Sequence, residues 1–243
     1  MELSISLEPK KDEADSSGPC TSESRSRTHI PPFCNPETLK SWLSTCETTH
    51  PWCPWKHPTR PIQFRLLDVH ALCIKDFLNT SDQQLTYAAL SYVWGAKPQR
   101  LRLTRTNQDA LYREGGIEAC ELSKTLSDAV SVVRMLGERY IWIDSLCIVQ
   151  DSNEDLESQI PFVGYIYAKA LVTIVAASGD HNDAGLPGIN GTQRPTSAQS
   201  VQQLPLAKSD QSENEVYSSM PPLQIGTLDY LEDTVWETRG WTY

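Results

Sequence analysis

The alternation of apolar and polar positions divides the central part of the chain into strands and helices. Residues 87–95 form a short apolar run, rich in aromatic and branched side chains, that ends at Gly95. This pattern predicts a buried strand that enters a tight turn. The stretch from Ser123 to Gly137 repeats apolar residues at helical spacing and predicts an amphipathic helix that ends at its glycine. A second apolar strand, Tyr140–Ile143, follows almost at once.

The same alternation continues on both sides of this segment. Residues 153–170 predict an amphipathic helix that Pro161 interrupts, and residues 171–177 predict a strand covered on both faces. Upstream, residues 60–69 predict a strand with a bulge where the alternation slips, and residues 71–78 predict its partner. Strands that alternate with helices indicate an α/β fold with a mostly parallel sheet flanked by helices.

The start of the helix after Ser123 has two interpretations. Thr125 and Asp128 stand at the spacing of a capping box, in which each side chain bonds a free backbone N–H of the first turn. Ser123 is an equally suitable N-cap, because its hydroxyl can accept the same kind of bond. The sequence leaves both interpretations open.

Composition divides the chain into segments. Residues 1–28 are polar and charged with little to bury, which predicts a disordered tail. Residues 29–60 form a Cys- and His-containing extension, and residues 61–243 form the domain that follows it. Within this domain, residues 190–215 are rich in Ser, Gln, Thr and Pro, which predicts a flexible insertion.

Length and charge narrow the class of protein. The 243 residues suit one domain with extensions. A formal net charge of −10 disfavours a nucleic acid or an anionic membrane as a partner. No apolar run approaches the roughly 20 residues of a membrane span, and the N-terminus lacks the features of a secretory signal. Seven cysteines in a chain without an export signal predict reduced thiols and a cytoplasmic location.

Four residues of the N-terminal extension have the chemistry of a metal site. Cys46, His50, Cys53 and His57 follow the spacing C-x3-H-x2-C-x3-H, and thiolate and imidazole are ligands that structural zinc takes. This spacing differs from those of the common zinc fingers. The alternative is a pair of small buried cysteines under a cap that is rich in Trp and Pro.

Polar and aromatic residues gather where the predicted strands end, which is where open α/β sheets bind ligands. The candidates from the first strand are Ser91, Tyr92, Trp94 and Gly95. Asp144 follows the next strand, either as a ligand-binding carboxylate or as an ordinary turn or capping aspartate. The nearby thiol of Cys147 is expected to be buried and unreactive, because no neighbouring histidine stands ready to activate it.

Four blocks of sequence carry a resemblance to a known family. They are Tyr87–Gly95, residues 122–148, Ala170–Gly179 and Trp236–Tyr243. In this order the blocks closely resemble the fungal heterokaryon incompatibility (HET) domain, over about residues 65–243. The resemblance implies a signalling and interaction module of non-self recognition whose engagement leads to programmed cell death. It also implies protein partners and possible self-association.

HET domains are distantly similar to TIR domains, which implies a TIR- or flavodoxin-like fold. Some TIR domains cleave NAD, so an NAD-cleaving enzyme with NAD as a possible cofactor is the alternative function. Such a site needs a carboxylate to stabilise the positive charge that develops as nicotinamide leaves, and the candidates are Asp144, Asp151 and Glu237. The resemblance adds Arg239 and Trp241 to the ligand-binding candidates. Related sequences continue beyond this point, so we expect a chain that is truncated within its domain and inactive in NAD cleavage.

Overall fold

The computed structural model describes residues 27–29, 31–49, 62–79, 85–96, 99–118, 121–194 and 200–202. The strands are β1 (Arg27–His29), β2 (Ile62–Asp68), β3 (Cys73–Asn79), β4 (Ala88–Tyr92), β5 (Tyr140–Trp142), β6 (Val172–Ala176) and β7 (Ser200–Gln202). The helices are α1 (Pro36–Thr49), α2 (Gln108–Leu111), α3 (Lys124–Leu136), α4 (Asp144–Cys147), α5 (Asn153–Gln159) and α6 (Val163–Lys169). A 3-10 turn, Ile160–Phe162, joins α5 to α6.

A five-stranded mixed sheet with the order β3-β2-β5-β4-β6 organises the fold. The pairs β2–β3 and β2–β5 are antiparallel, whereas β4–β5 and β4–β6 are parallel. The fold is therefore α/β as predicted, but the sheet is mixed rather than mostly parallel. The physical reason lies in the connections: residues 69–72 are too few for a crossover and force a hairpin, whereas helices join the parallel strands.

The hairpin strands β2 and β3 pair without interruption from Ile62 opposite Asn79 to Asp68 opposite Cys73. The predicted bulge is therefore wrong. The alternation slips because β2 is covered on both faces: Leu66 and Leu67 are both fully buried, in separate clusters. A strand that is buried on both faces carries apolar residues at successive positions and loses its period of two.

Two hydrophobic clusters cover the two faces of the sheet. On one face, α3 packs Leu126, Ala129 and Val133 against Leu90 of β4. Leu43 of α1 belongs to the same cluster, so residues ahead of β2 contribute to this core. On the other face, side chains of α6 and its preceding turn pack on the aromatic residues of the sheet, which are Phe64, Phe77, Tyr87, Tyr140 and Trp142.

The N-terminus of α3 shows that neither predicted cap forms. Ser123 occupies the N-cap position, but its side chain makes no capping hydrogen bond. Thr125 and Asp128 do not form the capping box either; they hold a distant loop, since Thr125 Oγ1 accepts from Gly185 N at 3.0 Å and Asp128 Oδ2 accepts from Leu186 N at 2.9 Å. The predicted C-terminal glycine cap is confirmed, because Gly137 has a φ of +85°.

Candidate functional site

The candidate site lies where the parallel strands end. Tyr92 closes β4, and Asp144 follows β5 by two residues as the first residue of α4. Parallel strands bring their carboxyl ends to the same edge of a sheet. The register sets Tyr92 of β4 opposite Ala176 of β6 and Ala89 of β4 opposite Trp142 of β5. Residues far apart in sequence therefore meet at this edge.

Tyr92 forms the buried floor of this site. Its hydroxyl donates to Ser145 Oγ at 2.8 Å, and both residues are inaccessible to solvent. Burial and the nearby charge of Asp144 raise the pKa of Tyr92 well above the ordinary value of a phenol. The phenol therefore stays neutral and serves as a fixed hydrogen-bond donor rather than as an acid or base.

Trp94 and Asp144 form the rim of the site. Trp94 Nε1 donates to Asp144 Oδ2 at 2.9 Å, and the N–H of Ser145 donates to Asp144 Oδ1 at 2.7 Å. Gln150 Nε2 donates to the backbone carbonyl of Asp144 at 2.9 Å. Both carboxylate oxygens thus have protein donors, and the half-buried Trp94 ring is fixed in place. We call Tyr92, Trp94, Asp144 and Ser145 the strand-end cluster.

Gly95 allows the loop after β4 to approach the loop after β6. Its φ is +78°, and a Cβ at this position would lie 2.7 Å from His181 Cβ, closer than a real contact. A short turn without a side chain is therefore required here. The two loops are also joined by Asn182 Nδ2, which donates to Gln99 Oε1 at 2.9 Å. The sequence prediction missed His181 and Asn182, because only the fold brings them to the loop after β4.

The remaining sequence candidates do not join the strand-end cluster. Ser91 is half-buried, and the alternation of β4 directs its side chain to the sheet face opposite Tyr92. Asp151 accepts from the backbone N–H of Arg105 at 2.8 Å and thereby ties two loops together. Cys147 is fully buried as predicted, and burial raises the pKa of its thiol to about 12. Such a thiol is unreactive at neutral pH.

Several predicted residues fall outside the part of the chain that the structure describes. Of the four zinc candidates, Cys46 lies half-buried in α1, while His50, Cys53 and His57 lie outside the described residues. The same holds for Glu237, Arg239 and Trp241. Across the described ranges, no group of three His, Cys, Asp or Glu residues is placed to hold a metal ion. The zinc site therefore stays a prediction.

A second polar assembly lies on the hairpin side of the sheet. Arg65 of β2 makes a two-pronged ion pair with Asp155, at 2.7 and 2.9 Å, and also donates to Tyr112 Oη and to the carbonyl of Cys147. Tyr112 Oη donates onward to Asp76. Burial by itself would lower the pKa of Arg65, but the bonds to Asp155 and Tyr112 outweigh it and raise the pKa. We call this assembly the Arg65 network.

A surface depression of about 550 Å³ lies beside the Arg65 network rather than at the strand ends. Its lining includes Arg65, Asp155, Arg105, Ser152 and the exposed Glu154. Arg65 and Asp155 already satisfy each other, and Arg105 donates to Ser152 Oγ at 2.9 Å. Because these groups bond one another, we assign the network to stability and keep the strand-end cluster as the candidate site.

Residues 87–243 match the family model described as heterokaryon incompatibility protein (HET). The chain belongs to the HET family. The matched region begins one residue before β4 and takes in the strand-end cluster, β5 and β6. It leaves out the hairpin of β2 and β3, even though β2 lies between β3 and β5 in the sheet. The HET motifs therefore map to the parallel side of the fold.

A curated HET relative is heterokaryon incompatibility protein 6, OR allele, of Neurospora crassa, with 31% identity over 128 residues. The alignment takes in 46% of this chain but 18% of the relative. The chain thus spans less than a fifth of the curated protein that it matches. No solved structure matches the chain. In the described part of the chain, no helix is long and apolar enough to cross a bilayer.

Proposed function

We propose that this HET chain is a signalling and interaction module of fungal non-self recognition whose engagement leads to programmed cell death. The observation that carries the proposal is the family match from residue 87 onward, which takes in the strands that build the site. The name of the Neurospora relative refers to heterokaryon incompatibility as well. Protein partners and self-association are part of the proposal.

The geometry of the strand-end cluster favours recognition over catalysis. Tyr92 and Ser145 are buried and bond each other, and Asp144 accepts from Trp94 and from a backbone N–H. Groups that are satisfied in this way hold the loop after β4 and the start of α4 after β5 in one arrangement. A preorganised surface binds a protein partner with less loss of conformational entropy.

NAD cleavage is the second candidate, and one observation favours it: a carboxylate and an aromatic ring meet at the carboxyl edge of the parallel strands. A catalytic carboxylate must face the ribose and stabilise positive charge there. Asp144 directs both oxygens to donors of its own chain, so a substrate would have to displace the indole of Trp94. For this reason we favour the module without enzymatic activity.

The test is inducible expression in a fungal host, with growth arrest and intracellular NAD measured together. We expect the unmodified chain to arrest growth without lowering NAD. Asp144→Asn should abolish arrest, because one carboxylate oxygen becomes an N–H₂ group that faces a donor. Asp151→Asn is the matched control, since its amide oxygen can still accept from Arg105 and the residue lies outside the cluster.

Two outcomes would contradict the proposal. Growth that continues at the normal rate with the unmodified chain, at a confirmed expression level, argues against a death-inducing module. Arrest that follows NAD loss, with both lost in Asp144→Asn, favours the enzyme instead. Circular dichroism of each purified variant shows whether a loss of growth arrest comes from a changed surface on a folded protein or from unfolding.

A further inference from the structure

The two edges of the sheet differ in how they are protected. Among the described residues, β6 pairs with β4 alone and β3 pairs with β2 alone, so each presents one row of backbone groups away from the sheet. Exposed edges recruit other strands unless charge, proline or a bulge blocks them. β3 carries Lys75 and Asp76 at its centre, whereas β6 has the sequence Val-Thr-Ile-Val-Ala and no charge.

The outward groups of β6 follow from one hydrogen bond and from the strand register. Tyr87 O accepts from Leu171 N at 2.8 Å, so residue 87 faces β6. In a parallel strand the N–H and C=O of one residue point to the same side, and successive residues alternate, so Ala89 and Ser91 also face β6. The register sets Ala89 opposite Thr173 and Ser91 opposite Val175, so their groups bond the residues before and after these two. Thr173 and Val175 therefore direct their N–H and C=O groups away from β4.

We propose that β6 is the self-association surface of this chain and that it pairs with β6 of a second copy, antiparallel, around a two-fold axis at Ile174. This register sets Val172 opposite Ala176 and Thr173 opposite Val175. The outward groups of each copy then meet those of the other, and the two sheets become one. The inference deepens the self-association in the proposed function and depends on it for its biological meaning.

The absence of charged residues in β6 favours a second copy of the chain as its partner. In a two-fold antiparallel pair, each residue faces itself or a same-face residue of its own sequence. β6 meets this condition because none of its residues is charged. The full-length register of β3 is centred on Asp76 and would set two carboxylates opposite each other, which is destabilising.

The flanks of β6 support the same arrangement. Lys169 precedes the strand and Asp180 follows it. An antiparallel pair brings the start of one strand beside the end of the other, so Lys169 of each copy comes to the side of Asp180 of its partner. Opposite charges therefore lie at both ends of the proposed interface, and they favour this orientation over a parallel one.

A pair of double variants tests the register. Thr173→Lys with Val175→Lys sets like charges opposite each other at two places across the two-fold axis. Thr173→Lys with Val175→Glu changes the same two positions but sets opposite charges there. On the purified full chain, sedimentation velocity should show the unmodified protein at twice its 27.3 kDa mass.

We expect the Lys/Lys variant to raise the dimer Kd by about tenfold or more and the Lys/Glu variant to keep it within about threefold, as cross-strand charge pairs predict. Equal behaviour of the two variants would overturn the proposal. An unmodified chain that stays monomeric would also overturn it, and would indicate that a segment of the same chain covers the edge of β6.

Hydrogen exchange on the unmodified chain gives a measurement that does not depend on how the variants fold. The amides of Thr173 and Val175 should gain protection as protein concentration rises, while those of β3 should not. Protection that is independent of concentration contradicts the dimer. Growth arrest by a monomeric Lys/Lys variant would separate self-association from the proposed function, since the function would then survive without it.

Discussion

The hairpin side and the crossover side of the sheet use buried polar groups in different ways. On the hairpin side, Arg65 and Asp155 lock β2 to α5 through a two-pronged ion pair. On the crossover side, Trp94 and Asp144 fix loops at the carboxyl edge of the parallel strands. The HET family match includes the second side and omits the strands of the hairpin, although Asp155 and α5 lie within it. In our proposal, the hairpin side supplies stability and the crossover side supplies the recognition surface.

The largest expected effect comes from removing the hairpin. A chain that begins at residue 85 keeps the whole matched region but loses the fully or almost fully buried Phe64, Leu66, Leu67 and Ile74. Each such side chain contributes about 1.5–3 kcal/mol by burial, and the total stability of a domain is about 5–15 kcal/mol. We expect no cooperative unfolding transition in urea. A cooperative transition in the shortened chain would show that the crossover side is stable alone.

Arg65→Met should have the next largest effect, because it leaves the charge of the largely buried Asp155 without a cation. Both side chains are nearly buried, with 14% and 13% of their surface exposed. Breaking such a pair costs about 3–5 kcal/mol, measurable by chemical denaturation. The matched control is Arg100→Met, whose ion pair with Asp183 is exposed and should be worth less than about 1 kcal/mol. Equal losses for the two variants would contradict the assignment of the network to stability.

Gly95→Ala and Gly115→Ala compare one glycine from each side of the sheet. Both glycines have φ near +75°, at +78° and +73° respectively, so alanine is strained at either position by about 1–2 kcal/mol. Only Gly95 lacks space, since His181 Cβ would lie 2.7 Å away. We expect Gly95→Ala to cost at least about 1 kcal/mol more in the free energy of unfolding. Similar losses would mean that the loop of His181 moves freely.

The smallest effect is the pH dependence that Asp68 contributes on the hairpin side. Burial would raise the pKa of Asp68, but bonds from the N–H of Ala71 and from Arg139 outweigh it and lower the pKa. A lowered folded-state pKa means that the stabilisation is present above the unfolded value, near 4, and is lost as pH falls through the folded value. The free energy of unfolding should decrease on acidification below about pH 4. Asp68→Asn should reduce this dependence of the free energy of unfolding on pH. An unchanged dependence would mean that other carboxyl groups cause it.

The sequence pattern located most elements because their signals are local. The strand at β4, the amphipathic helix α3 with its glycine cap, and the break near Pro161 all lie where the pattern predicts them. Helical spacing and proline geometry act within a few residues. The pattern wrongly predicts a bulge in β2, because the burial of Leu66 and Leu67 on opposite faces depends on layers from elsewhere in the chain.

The sequence by itself determined which residues end the parallel strands, and so placed Tyr92, Trp94 and Asp144 among the candidates. Only the tertiary structure decided their partners, because Tyr92 meets Ser145 across 53 positions and Trp94 meets Asp144 across 50. It also placed β2 antiparallel to β5, which local alternation does not encode. The alternation of apolar and polar side chains depends on neighbours along the chain. Strand direction and hydrogen-bond partners depend on the path that the connecting segments take through the folded structure.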